Sequence, residues 1–281
     1  MKRLAIIAAA VLSLCACNQA DVLDSPIKSV TFTLDGDFIV NQEPMTRALE
    51  ADGKSMTDVW VFDYVGGVLQ QQLHQSSTDA DFGTITLSLA FGIHRLYFVT
   101  SRGRDAVLNT TDATLTFGTV SDTFWADHDV TVSSATASSA TVTLNRIVTR
   151  LRVSVNDAIP SDAATLNVTP STWYYGFNYT TAAPCAVTNN RTISVTLPSS
   201  VIGTTDVVSS FFGFSSSTQW QTNVIIDSKT STNAVIGSAT VTDVPLARNT
   251  TTTVSGNLYA TLPTYTMILS SDWGTPIDMT W

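Results

Sequence analysis

The sequence predicts an all-β protein made of two tandem β-sandwich domains, and three features support this prediction. Only 13% of the 281 residues are charged, and glutamate occurs only as Glu43 and Glu50. Helix surfaces are usually rich in Glu and Lys, so this composition disfavours a mainly helical fold. Thr, Val, Ile and aromatic residues, which favour strands, are abundant. Short alternating segments separated by turn residues recur along the chain, as they do in sandwiches and barrels.

The N-terminal segment predicts export and lipidation. Residues 1–3 are a short basic segment, and residues 4–14 are an apolar stretch well below the roughly 20 residues that span a bilayer. Leu14-Cys15-Ala16-Cys17 follows with the spacing of a bacterial lipoprotein signal. We therefore expect removal of residues 1–16 as a signal peptide and acylation of Cys17, which would hold the exported protein to a membrane as a lipoprotein. An ordinary cleaved signal is the alternative.

The first predicted domain covers residues 17–140. Val30, Phe32 and Leu34 alternate with threonines and predict the first strand, with three apolar side chains on one face. Residues 59–64 are apolar on both faces, as in a central strand between two layers. Further predicted strands lie at 68–69, 83–90, 95–100 and 130–134. The polar run at 133–139 places the domain boundary near residue 140.

The second predicted domain covers residues 141–281, because the mature length suits two sandwiches of about 120 to 130 residues each. Its predicted strands are 141–144, 150–155, 166–168, 173–179, 192–197, 211–214, 223–227, 239–244, 251–258, 265–270 and 277–281. Six side chains on the apolar faces of both domains are predicted to be buried: Val61, Leu87, Leu89, Leu151, Val153 and Ile226.

Residues suited to catalysis or metal binding are sparse, so we expect neither enzymatic activity nor a cofactor. The three histidines are His74, His94 and His128. Residues 127–129 (Asp-His-Asp) are predicted to form a solvated turn, because neighbours on a strand point to opposite faces and could not share one metal. His94 is expected at a strand end, and Cys185 as a small buried apolar group. A net charge of −9 disfavours nucleic acid as a partner.

Several segments together resemble the fimbrillins, the subunits of type V pili. They are the lipoprotein signal, the strand at 30–34, the sequence Met45-Thr46-Arg47-Ala48 and the strand at 59–63, followed by segments 144–151, 244–250 and 254–258. The similarity extends over essentially the whole mature chain. It implies two transthyretin-like (Greek-key) β-sandwich domains and a structural polymer, with shaft, tip and anchor roles all open.

The resemblance also implies that the lipoprotein reaches the outer membrane at the cell surface, and it implies a mode of assembly. An arginine-specific protease would cut between Arg47 and Ala48, and the first strand would then leave. The exposed groove could accept a strand from another copy or a related pilus subunit. The candidate donor strand is C-terminal, where Met267 and Leu269 repeat with a period of two. It comprises Thr266, Met267, Ile268, Leu269 and Ser270.

A different function also fits the sequence. Trp173, with the two tyrosines that follow it, or Trp220 could stack on sugars. The alternative is therefore an outer-membrane lipoprotein that binds glycans, and host or bacterial surface ligands are possible partners under either function.

Overall fold

The computed structural model describes residues 26–36, 56–103, 105–260 and 265–270, and these residues confirm the all-β prediction. They form twenty β-strands and one 3₁₀ turn, Ser199–Val201. None of the helical structure in these ranges is long and apolar enough to cross a membrane.

The first half of the chain contributes ten strands. They are β1 (Ile27–Asp35), β2 (Asp58–Val65), β3 (Val68–Ser76), β4 (Thr84–Ala90), β5 (Gly92–Ser101), β6 (Ala106–Asn109), β7 (Thr114–Phe117), β8 (Thr123–Val132), β9 (Ser139–Thr143) and β10 (Asn145–Arg146). Eight of them form two sheets, ordered β4-β1-β9 and β10-β8-β5-β2-β3. The apolar faces of these two sheets share one core, which includes Phe32, Val61, Leu89 and Phe98.

The second half contributes ten more strands. They are β11 (Val148–Val155), β12 (Thr165–Pro170), β13 (Trp173–Asn178), β14 (Ala183–Thr188), β15 (Ile193–Thr196), β16 (Val207–Phe214), β17 (Trp220–Lys229), β18 (Val235–Leu246), β19 (Thr251–Gly256) and β20 (Tyr265–Ser270). Eight of them form sheets ordered β16-β11-β19-β20 and β15-β12-β17-β18. Leu151, Leu166 and Ile226 lie in the core shared by these sheets.

The two halves repeat one strand order. In each half, the first strand lies between an antiparallel and a parallel neighbour: β1 between β4 and β9, and β11 between β16 and β19. The facing sheets correspond as well, because β3-β2-β5-β8 matches β15-β12-β17-β18. The same arrangement of strands is therefore built twice along the chain.

All six side chains predicted to be buried are at most 4% exposed, which confirms the predicted strand registers. Each of the six lies on a strand whose apolar residues alternate or on a strand that is covered on both faces. The two-residue period of the strand therefore explains why these side chains are buried.

A fifth sheet, ordered β14-β13-β7-β6, joins the two halves. It covers the outer face of the sheet that contains β2 and β5, and the Phe62 ring stacks on Tyr179 at 3.8 Å. Phe214 of the second sandwich packs against Phe117 and Phe177 of the fifth sheet, with ring centroids 5.5 and 4.7 Å away. These aromatic contacts form a third core that both halves share.

The predicted boundary near residue 140 falls inside β9. That strand pairs with β1, and β10 pairs with β8, so residues 139–146 belong to the sheets of the first half. The division into 17–140 and 141–281 stays a prediction, and the pairing favours a division after Arg146.

The prediction of a solvated turn at residues 127–129 is wrong. These residues lie inside β8, where Asp127, His128 and Asp129 pair with consecutive residues of β5. Both aspartates flank Arg95 on the exposed face, and the positive charge of Arg95 offsets the repulsion between the two carboxylates. The His128 ring meets Phe32 edge-on at 6.0 Å, so the alternation of the strand continues through this segment.

Candidate functional site: the groove around the first strand

The first strand is the centre of a three-stranded sheet. Phe32 of β1 lies opposite Ile85 of antiparallel β4 and opposite Ala140 of parallel β9. Val30, Phe32 and Leu34 are all buried, as the alternation with threonine predicts. The strand is therefore held by backbone ladders on both sides and by its apolar face.

The groove beneath β1 is lined with core side chains. The Phe32 ring lies 5.3 Å from the Phe98 ring of the facing sheet. Burial of three large apolar side chains contributes roughly 1.5 to 3 kcal/mol each. Loss of β1 would expose this apolar slot, together with the N–H and C=O groups of β4 and β9. Such an open slot between two strand edges favours capture of another strand.

The predicted processing residues lie outside the described residues. Cys17 precedes the described part of the chain, and Arg47 and Ala48 lie in residues 37–55, between β1 and β2. Their roles in lipidation and cleavage stay predictions.

The candidate donor strand is paired within its own chain. Thr266 to Ser270 lie in β20, which runs antiparallel to β19 at the edge of the second sandwich. Met267 and Tyr265 pack against the second core. The strand of the first sandwich that corresponds to β19 is β9, and β9 is the edge of its sheet among the described residues. In this structure, β20 therefore completes its own sandwich.

The two candidate sugar-binding tryptophans differ in accessibility. Trp173 is 2% exposed, and its indole N–H donates to the Phe212 carbonyl at 3.2 Å. It is a core residue and has no free face for stacking. Trp220 is partly buried, donates to Ser215 Oγ at 2.9 Å and meets Tyr174 edge-on at 5.5 Å.

A recess of about 290 Å³ lies beside Trp173, between the fifth sheet and the second sandwich. Tyr175, Arg191 and Phe212 line it. The Arg191 guanidinium lies 5.0 Å from the centre of the Tyr175 ring and donates to the Gly118 carbonyl. The recess thus combines aromatic surface with a hydrogen-bond donor, which sequence spacing alone did not indicate.

A buried His94–Asp63 pair was not predicted from the sequence. His94 lies in β5, with Nδ1 2.7 Å from Asp63 Oδ1 and Nε2 2.8 Å from the Ala90 carbonyl oxygen. Gln71 donates to the other carboxylate oxygen of Asp63 at 3.0 Å. Since both side chains of the pair are almost fully buried, the arrangement fits a structural role. The available signal was Asp63 itself, a carboxylate inside an apolar strand, which requires a partner.

Other candidate chemical groups are isolated. The described residues contain no group of three His, Cys, Asp or Glu side chains placed to hold a metal. Cys185 is partly buried, and burial raises the pKa of its thiol. A raised pKa leaves less of the reactive thiolate, as expected of an inert cysteine.

Comparison with protein families gives one match. A model described as "Family of unknown function (DUF6562)" matches residues 95–280, which is more than half of the chain. The chain belongs to DUF6562. In this DUF6562 member, the matched region begins within β5 and includes the fifth sheet and the whole described second sandwich. No curated protein matches the chain by sequence.

Solved structures share the fold of this DUF6562 protein at low sequence identity. A candidate polysaccharide-binding protein of Bacteroides thetaiotaomicron aligns with a TM-score of 0.54 and 8% identity, covering 89% of this chain and 98% of that one. A candidate adhesin of Bacteroides ovatus gives 0.53 and 12%, covering 92% and 98%. A second candidate adhesin, from Bacteroides ovatus ATCC 8483, gives 0.51 and 12%, covering 82% and 88%. At these identities, the likeness establishes the fold.

Proposed function

We propose that this DUF6562 protein is a non-catalytic structural subunit of a cell-surface pilus that serves adhesion. It is exported, and acylation of Cys17 anchors it in the outer membrane as a lipoprotein. It assembles by strand exchange with other copies of itself or with related pilus subunits. Shaft, tip and anchor positions are all compatible with this function.

The position of β1 is the observation that carries the proposal. A strand with neighbours on both sides and three buried apolar residues leaves a slot that only another strand with a period of two can refill. Because a head-to-tail contact of this kind does not close, repeated insertion would produce a filament.

The descriptions of the structural neighbours support the adhesive part of the proposal. Two of the compared proteins are described as candidate adhesins and one as a candidate polysaccharide-binding protein. Both descriptions fit a protein displayed at the cell surface.

Strand exchange is tested by comparing three forms of the chain: intact, cut after Arg47, and cut but lacking residues 264–281. We expect only the second form to give SDS-resistant ladders. Arg47→Ala, treated with the same protease, is the control and should stay monomeric. Equal polymerisation of the truncated form would show that the C-terminal strand is not the donor. If the form cut after Arg47 stayed monomeric, assembly by strand exchange would be refuted.

Anchoring is tested through Cys17. The variant Cys17→Ala should leave the membrane fraction and take up no labelled palmitate, because lipoprotein anchoring requires several acyl chains. Continued labelling of the variant would show that the site is wrong. N-terminal sequencing of the surface form then separates an anchor, beginning at Cys17, from a shaft subunit, beginning at Ala48.

A glycan-binding lipoprotein is the second candidate function, and the recess with Tyr175, Arg191 and Phe212 favours it. Aromatic faces together with a guanidinium suit a sugar ring that carries hydroxyl or carboxylate groups. Polysaccharide binding that is lost in Tyr175→Ala and retained in Tyr64→Ala would support this function. Binding that is indifferent to Tyr175 would exclude the recess as the site.

A further inference from the structure

Exposed apolar side chains are concentrated at one end of the first sandwich. Among the described residues, nine large apolar side chains are exposed, and five of these nine lie at this end. The other four are divided among β6, β14, β17 and β18. Single exposed apolar residues are ordinary, whereas a group of them marks a contact surface. We call this group the apolar end, and it comprises Ile27, Val65, Val68, Phe91 and Ile93.

Strand pairing brings these five residues to the same end of the sandwich. Ile27 begins β1 and pairs with the last residue of antiparallel β4. Phe91 follows in the bend between β4 and β5, and its N–H donates to the carbonyl of the residue that precedes β1 at 2.9 Å. Ile93 is the second residue of β5 and is 72% exposed. Since β2 runs antiparallel to β5, the turn between Val65 and Val68 lies beside the start of β5.

The apolar end differs in charge from the rest of the protein. The whole chain has 23 acidic residues and a net charge of −9. The segments at this end contain no acidic residue, and their one charged residue is Lys28, whose Nζ donates to the Ser134 carbonyl at 3.0 Å. No carboxylate in these segments therefore repels the phosphate of a lipid headgroup. The segments are residues 26–28, 65–68, 90–93 and 132–139, the last of which meets the start of β5 where β8 ends.

The connection to the proposed lipid anchor leads to the same end. Ten positions separate Cys17 from Ile27, the first residue of β1. An extended chain of that length spans at most roughly 33 to 36 Å. With acyl chains on Cys17, the end of the sandwich at which β1 starts is therefore held close to the bilayer. This short connection favours a membrane over another protein as the surface that the apolar end meets.

We infer that, in the lipidated and uncleaved protein, the apolar end docks on the bilayer that holds the acyl chains, with its apolar side chains in the boundary between headgroups and hydrocarbon. Such contacts gain strength with the apolar area that they bury. The acyl chains retain the protein at the membrane, and the apolar end orients the first sandwich against it. The inference rests on the proposed acylation of Cys17 for the short connection, whereas the apolar end itself can be tested without it.

The first test places an indole at the apolar end of the lipidated full chain. Phe91→Trp is compared with Val235→Trp, which changes a 54% exposed residue of the second sandwich. Both variants and the parent are reconstituted in phosphatidylcholine vesicles with ordinary or brominated acyl chains. The bromine atoms should quench the added emission of Phe91→Trp by about half, because docked side chains reach the acyl boundary. The added emission of Val235→Trp should be unchanged.

Uptake of labelled palmitate by the same preparations separates two failures. Protein without the label would refute acylation of Cys17 and hence the anchor. Labelled protein in which Phe91→Trp is not quenched would overturn docking of the apolar end, although the anchor would stand.

The second test needs no acylation. Residues 18–281 lack both the apolar signal segment and the lipidated cysteine, and their binding to phosphatidylcholine vesicles is measured by sedimentation. Phe91→Ser combined with Ile93→Ser should weaken this binding about tenfold or more, because two apolar side chains no longer leave water. The matched control, Val187→Ser combined with Val235→Ser, removes two exposed apolar side chains elsewhere and should bind like the parent. Equal binding of the two double variants, or no binding of the parent, would overturn the inference.

The driving force is tested by salt and lipid charge. Burial of apolar surface requires no anionic lipid, so binding of the parent should persist at high salt. Binding that requires phosphatidylglycerol and disappears in salt would contradict apolar docking and indicate attraction to Lys28. Self-association of the parent without vesicle binding, lost in the Phe91 and Ile93 double variant, would show instead that the apolar end is an interface between copies.

Discussion

At the scale of single residues, the partners of His94 determine how many protons the buried pair holds. The Ala90 carbonyl can only accept, so Nε2 of His94 must donate to it. The 2.7 Å contact between Nδ1 and Asp63 then requires a second proton between those two atoms. The pair is therefore neutral as a unit, and it ties β2 to the bend that joins β4 and β5.

Removal of one member of this pair should destabilise the fold strongly. Asp63→Ala leaves the imidazole without its buried acceptor, and we expect a loss of about 3 to 5 kcal/mol in the free energy of unfolding. Asp127→Ala breaks the exposed ion pair with Arg95 and should cost less than about 1 kcal/mol. Urea unfolding of both variants measures the difference, and similar losses would contradict a structural role for the pair.

Adjacent isoleucines in β17 offer a matched test of the core. Ile226 is 1% exposed and faces the second core, whereas Ile225 is 39% exposed on the opposite face. Ile226→Ala should reduce the free energy of unfolding by about 2 to 5 kcal/mol through lost burial and a cavity. Ile225→Ala should reduce it by under about 1 kcal/mol. Equal effects in denaturant unfolding would contradict the observed register.

At the scale of strands, the sequence predicted the elements whose pattern is local. The strand at 265–270 was predicted with its observed bounds, and the predicted 59–64 lies within β2. The hairpin of β6 and β7 was missed, because each of its strands is only four residues long and β7 pairs with β13, about sixty residues later in the chain. Likewise, the groove around β1 could be anticipated from alternation, whereas the recess lined by Tyr175, Arg191 and Phe212 depends on strands that are distant from one another in sequence.

β20 should become less stable at alkaline pH. Burial raises the pKa of Tyr265 to about 12, and Asp157 acts in the same direction. The pKa of tyrosine in the unfolded chain is about 10. Because the folded value is higher, this stabilisation is complete below about pH 10 and is lost as the pH rises through about 12.

The variant Tyr265→Phe tests this pH dependence. In the parent protein, the Tyr265 hydroxyl is buried without a hydrogen-bond partner. The variant, which lacks this hydroxyl, should therefore be at least as stable as the parent at pH 7. Between about pH 10 and 12, its stability should fall less steeply than that of the parent. Urea unfolding across this range provides the measurement, and parallel curves would show that Tyr265 does not contribute.

At the scale of the whole molecule, the third core couples the two sandwiches. Phe117 lies on the fifth sheet and contacts Trp60 of the first half and Phe214 of the second. An interface this apolar predicts that the halves unfold together in one calorimetric transition.

Removal of Phe117 should uncouple them. Phe117→Ala deletes a buried ring, at a cost of about 3 to 5 kcal/mol, and we expect the single transition to split into two. Leu89→Ala lies within the first core alone, and should lower the transition temperature without splitting it. Differential scanning calorimetry distinguishes the two results, and one sharp transition for Phe117→Ala would show that the coupling lies elsewhere.

The fifth sheet also constrains the ancestry of the chain. If the repeated strand order reflects duplication of one ancestral half, the two hairpins that build this sheet were added at different places. The β6–β7 hairpin lies between β5 and β8, whereas the β13–β14 hairpin lies between β12 and β15, which correspond to β2 and β3. Two identical copies of either half could not form the fifth sheet, because both copies would carry the same hairpin and lack the other one. Under such a duplication, the two halves diverged by gaining different hairpins, and substitutions at Thr116 and Gly176, which pair between β7 and β13, should covary among members of the family.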